Sequence, residues 1–142
     1  MNEYPKVIDP DLVGEYPAMA KAGGGYFFDE VLEYRVWFCV ADGSPDTADG
    51  DDYYYAFGSH EEALDFSRAH DGAGEPLALI RQREWVNEPK PGHFVHVKGE
   101  RIAEWKTEWL SRGARQPGAI ESFIAARSAD QKHWRSTDLC RP

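Results

Sequence analysis

The run Leu32-Glu33-Tyr34-Arg35-Val36-Trp37-Phe38-Cys39-Val40 decides the fold of this chain. Leu32, Tyr34, Val36, Phe38 and Val40 alternate with Glu33, Arg35, Trp37 and Cys39, the period of a strand whose successive side chains point to opposite faces. One face is apolar throughout and the other opens charged and turns apolar, which places the strand inside a sheet and not at its rim. Two readings of the mixed face stay open. Glu33 and Arg35 pair internally beneath a covering element, or they line a pocket together with Trp37.

A second aromatic run, Tyr53-Tyr54-Tyr55-Ala56-Phe57, follows an acidic loop from Asp42 to Asp52, so the two runs read as neighbouring strands of a hairpin. Alternation sends Tyr53 and Tyr55 one way and Tyr54 the other. The carboxylates of the loop raise calcium, but an EF-hand needs acids at its first, third and fifth positions and a glutamate at its twelfth. Counted from Asp46, the third position is Ala48, the fifth is Gly50 and the twelfth is Phe57. The expectation is a solvated loop with no metal.

Downstream, Ser59 followed by Glu62 forms a capping box, and Ala63, Phe66, Ser67 and His70 fall on one face of a helix that Asp71 and Gly72 close. His60 is expected at the surface of its first turn. Pro76 opens a strand from Leu77 to Val86, apolar on both faces at first and then carrying Arg81, Gln82, Arg83 and Glu84. Arg81 and Arg83 share a face, either as an anion contact or as paired charges over solvated sheet. His93 to Val97, a turn at Lys98-Gly99-Glu100, and Arg101 to Trp105 read as a further hairpin. Its alternation puts His93 and His96 on opposite faces, which argues against zinc between them. A short helix is expected after Thr107, and an amphipathic one after Pro117 with Ile120, Phe123, Ile124 and Arg127 on one side.

Upstream, Asp9 caps a turn that begins at Pro10, and Leu12, Val13 and Tyr16 form an apolar edge suited to covering the sheet. Gly23, Gly24 and Gly25 read as a joint. A phosphate nest would need a helix behind it and a lysine beside it, and Tyr26, Phe27 and Phe28 lead into a strand instead.

Composition sets the outer frame. The chain has 142 residues, 42% of them hydrophobic and 13% aromatic, enough large apolar side chains for one core. Residues 1–129 are expected as one domain and 130–142 as a mobile tail, with Trp134 as its one large apolar group. A formal net charge of −9 argues against nucleic acid, whose phosphates require clustered Lys and Arg. No apolar run approaches the roughly 20 residues of a membrane span, and Met1 to Asp11 lacks the basic start and apolar middle of a leader. Cytoplasmic localisation with Cys39 and Cys140 as reduced thiols is the expectation.

The runs Ala22-Gly23-Gly24-Gly25-Tyr26, Asp29 to Trp37, Gly50 to Tyr55, and Glu75 to Ile80 resemble a family of small uncharacterised bacterial proteins. Many members of that family carry the label of GCN5-related N-acetyltransferase (GNAT), and the resemblance covers roughly Ile8 to Phe123. It implies an acyltransferase using acetyl-CoA, whose pyrophosphate that fold holds on the amides of a Gln/Arg-x-x-Gly-x-Gly/Ala turn between a strand and a helix. The nearest run is Arg115-Gln116-Pro117-Gly118-Ala119-Ile120, where Ile120 stands in place of the final small residue and Pro117 lacks a donor. No catalytic residue carries over.

These readings combine into an α+β domain: an antiparallel sheet of about five strands, one crossing helix and short terminal helices. No catalytic motif stands out. The expected function is a non-catalytic ligand- or protein-binding module, without cofactor, metal, nucleic acid or membrane, and the alternative is the acetyl-CoA-dependent acyltransferase. The candidate contact residues are Arg35, Trp37, Tyr53, Tyr55, Arg81 and Arg83, because aromatic groups supply area and arginines supply oriented donors.

Overall fold

The computed structural model describes residues 4–22, 26–39, 50 and 52–127. The acidic loop, apart from Gly50 and Asp52, lies outside them, as do the glycine triplet, the tail from Asp130 with Trp134, and Cys140. Strand β1 (Lys21–Ala22) is followed by β2 (Glu30–Phe38), β3 (Tyr53–Phe57), helix α1 (His60–Ala69), β4 (Leu77–Lys90) and β5 (His93–Lys106). In the sheet the order is β1-β5-β4-β2-β3. The four longer strands pair antiparallel throughout, and the two-residue β1 adds in parallel at Ala103 and Glu104 of β5. The fold is α+β, with α1 as its crossing helix.

The strand count departs from expectation. His93–Val97 and Arg101–Trp105 are one continuous strand, so the sheet has four long strands and not five. The turn of the hairpin falls at Pro91 and Gly92, where Gly92 takes a φ of 78°. Lys98-Gly99-Glu100 is absorbed as a bulge: Gln82 opposes Arg101 while Glu84 opposes Lys98, which leaves an extra residue on β5. A lone glycine inside a strand permits such a bulge as readily as it permits a turn, and the two look alike in sequence.

The apolar face of the sheet carries Tyr34, Val36 and Phe38 from β2, Ala78 and Ile80 from β4, and Ala103 and Trp105 from β5, all in one core with Val7, Phe28, Ala63 and Leu110. Helix α1 closes this face, driven there by the fully buried Ala63 and by Phe66, whose ring lies 5.0 Å from Tyr55 and 5.1 Å from Phe57. The helix starts with Ser59 as its cap, and Glu62 reaches back to the serine hydroxyl where a full capping box would engage the serine amide. Ser59 Oγ accepts from the Glu62 amide at 3.2 Å and donates to the Glu62 carboxylate at 3.1 Å. A 3-10 segment, Thr107–Arg112, follows β5, and residues 119–127 are helical with Ile120 buried. Among the described residues no helix is long and apolar enough to cross a membrane.

His60 is not a free surface group. It stacks on Tyr4 with centroids 3.7 Å apart and meets the edge of Tyr34 at 5.8 Å, and this burial, aided by Arg68, lowers its pKa below the ordinary 6.5. The unfolded chain therefore takes up a proton at His60 more readily than the folded one. His60 contributes stability fully above pH 6.5 and loses it as pH falls toward the depressed folded value. Replacing it with phenylalanine keeps the stack and removes the titration. Thermal unfolding at pH 7.5 and 5.5 should thus show a smaller drop for His60→Phe than for the wild type, and equal drops would contradict this account.

Candidate functional site

The mixed face of the sheet is covered. The segment from Asp9 to Ala22 begins in a 3-10 turn, Pro10–Leu12, in which Asp9 Oδ1 accepts the Asp11 amide. It then runs over β2 as a strap. Gly14 N donates to Glu33 Oε1 at 2.8 Å, the Pro17 and Ala18 carbonyls accept from the Arg35 guanidinium at 2.6 and 3.3 Å, and Tyr54 donates to the Tyr16 carbonyl.

Under the strap, Glu33 and Arg35 are fully buried. Arg35 Nε meets Glu33 Oε2 at 2.6 Å, and Arg35 Nη1 meets Glu104 Oε2 at 3.0 Å. Trp37 Nε1 donates to the same Glu104 oxygen at 2.7 Å, and the Arg35 guanidinium lies 4.3 Å from the centroid of Tyr54. Each buried charge is thereby paired and hydrogen-bonded, the condition under which ions are tolerated away from water. The Tyr16 hydroxyl is buried with no hydrogen-bond partner among the described residues, and burial raises its pKa against the opposing pull of Arg81.

The six candidate residues do not converge. Val36 opposes Tyr55 and Phe38 opposes Tyr53, so both tyrosines stand on the α1 face, where Tyr53 stacks on Phe38 at 5.2 Å. Arg35 and Trp37 stand on the strap face with Tyr54. Arg81 and Arg83 are both engaged by Glu30, at 2.7 and 3.0 Å. Of the six, Trp37 lines a cavity.

That cavity, of about 340 Å³, lies where β2 ends, β4 begins and β5 ends, between Trp37, Glu75, Pro76, Leu77, Lys106 and Glu108. Its size falls within the range of small-ligand sites, roughly 300–1,000 Å³. Glu104 holds the indole from below, and Tyr54 packs at 4.8 Å. Gly74 closes the side. Its amide donates to the Trp37 carbonyl at 2.8 Å, and a Cβ there would sit 3.3 Å from the same oxygen, so any larger residue needs the two backbones to part by a few tenths of an ångström. An indole wall, one ammonium and two carboxylates can stack a flat or aliphatic body and orient a charged group.

Sequence reasoning missed Glu104, Lys106 and Glu75. Ile102, Glu104 and Lys106 do alternate on the strap face of β5, but the ambiguous period after Glu104 hid that signal. The run Arg115 to Ile120 follows a 3-10 segment and not a strand. The Arg115 amide donates to Phe28 O and the Ala119 amide to Gln116 O, so two donors of that turn are already used.

Fold and site together define a small α+β protein built on one strapped sheet with a cavity at its edge. No family model, curated protein or solved structure matches the chain.

Replacing Arg35 alone leaves Glu33 as an uncompensated buried carboxylate. Arg35→Met should cost about 3–5 kcal/mol in urea unfolding. Adding Glu33→Gln should recover part of that loss, and additive costs would contradict the coupling.

Proposed function

We propose that this protein is a non-catalytic binding domain that seats a small ligand in the cavity beside Trp37. The observation carrying this reading is the indole itself: Glu104 engages its only polar atom from within the protein, which leaves the ring as a preorganised wall of a 340 Å³ space. A ring fixed before binding loses little freedom when a ligand stacks on it. Lys106 favours a carboxylate or other anionic end on that ligand, while Glu75 and Glu108 at the rim favour a neighbouring amine or hydroxyl. Small aromatic or aliphatic amino acids and their derivatives combine these features.

The rival reading is acyl transfer from acetyl-CoA, as the family resemblance implies. It places the cofactor at Arg115 to Ile120, far in sequence from Trp37. Amide chemical shifts followed during titration separate the two. Aromatic amino acids and indole carboxylates should give saturable shifts at Gly74, Leu77 and Lys106 that Trp37→Leu removes. Saturable shifts with acetyl-CoA centred on Gln116 to Ala119 would instead establish the rival, and silence at Trp37 toward all probes up to about 10 mM would reject the binding reading.

A further inference from the structure

Away from the strap face, three metal-ligating side chains from three separate elements come together. Glu84 lies on β4, His96 on β5 and Glu121 in the helical stretch 119–127, and one ligand atom from each lies within 4.8 Å of the other two. The fold places them. Val86 opposes His96, so Glu84, two residues earlier on the same face, is the diagonal neighbour of the imidazole. The helical stretch is seated by the buried Ile120 and by Phe123, whose ring lies 4.7 Å from Tyr26, 5.6 Å from Phe27 and 5.3 Å from Phe94.

The surroundings prepare Glu84. Its Oε1 meets His96 Nε2 at 2.7 Å, and its Oε2 faces Arg115 Nη1 at 3.7 Å. Arg115 is itself fixed, with Nε and Nη2 both 2.9 Å from Asp29 Oδ1. One Glu84 oxygen thus faces a guanidinium while the other is presented to the imidazole. At that distance the guanidinium acts on Glu84 as a nearby positive charge that favours its ionised, ligating form. Glu121 brings a second carboxylate to this point from an exposed position and has no ion pair among the described residues.

We propose that Glu84, His96 and Glu121 bind a divalent transition ion of the zinc class. An imidazole nitrogen selects borderline ions over calcium and magnesium, and two carboxylates neutralise the charge. The ion takes the place of the hydrogen that bridges Glu84 and His96. Ligand atoms of a tetrahedral site stand about 3.4 Å apart, since each bond is about 2.0–2.1 Å, so the 2.7 Å contact of Glu84 with His96 opens as the ion enters and rotation of the exposed Glu121 side chain brings in the third ligand. Three protein ligands leave the fourth position to water. His93 and His96 lie on opposite faces of β5, and the partners of His96 come from elsewhere in the chain.

Isothermal titration of the full chain with Zn²⁺, and with Co²⁺ followed by its visible absorption, tests the site. Wild type should bind one equivalent and melt at a higher temperature with Zn²⁺, the rise being reversed by chelator. Glu121→Gln, which changes an exposed position, should weaken the ion at least about tenfold, and His96→Gln should abolish binding. No saturable binding up to about 1 mM Zn²⁺, or affinity unchanged in Glu121→Gln, overturns the proposal. If His96→Gln fails to fold, Glu121→Gln decides alone.

Discussion

Arg35 is the constraint on which the architecture rests. A guanidinium with no exposed side-chain surface has to find partners for its donors, and it finds them in Glu33 on its own strand, Glu104 on β5, and two strap carbonyls. Since β4 separates β2 from β5 in the sheet, the bond from Arg35 to Glu104 spans the width of three strands. The strap is consequently more than a lid. Its carbonyls complete the hydrogen bonding of a buried ion, so strap and sheet define each other's positions.

The two faces of the sheet are held by different physics. On the α1 side, rings and aliphatic groups pack as an ordinary core, tolerant of volume-conserving change. On the strap side, a polar network fixes one arrangement, because any partner left over would be a buried, unsatisfied charge. Trp37 sits at the junction, its nitrogen in the network and its ring at the cavity. The wall is held by the same Glu104 oxygen that pairs with Arg35.

What could be read from the sequence was what short-range pattern controls. The alternation of Leu32 to Phe38, the split of Tyr53 and Tyr55 from Tyr54, the Ser59 cap and the covering role of Leu12 to Tyr16 all depend on neighbours a few residues apart. The partners of Arg35 could not be read, because Glu104 lies 69 residues further on and any acid on a strap-facing position would have met the pattern. Gly92 and Gly99 illustrate the same limit. Both suit a turn, and the pairing of β4 with β5 over their full length decides between them. The meeting of Glu84, His96 and Glu121 depends on the helical stretch docking, which no local period encodes.

The parallel addition of β1 to β5 carries a consequence for how the chain is made. Lys21 and Ala22 pair with Ala103 and Glu104, so the strap acquires this anchor only after the chain has been made through β5. Until then Glu33 and Arg35 remain in water, and the apolar face of β2 has no finished sheet to join. Long-range closure of this kind is slow to form, and it makes completion of the domain a late, all-or-none event and not a stepwise growth from the N-terminus.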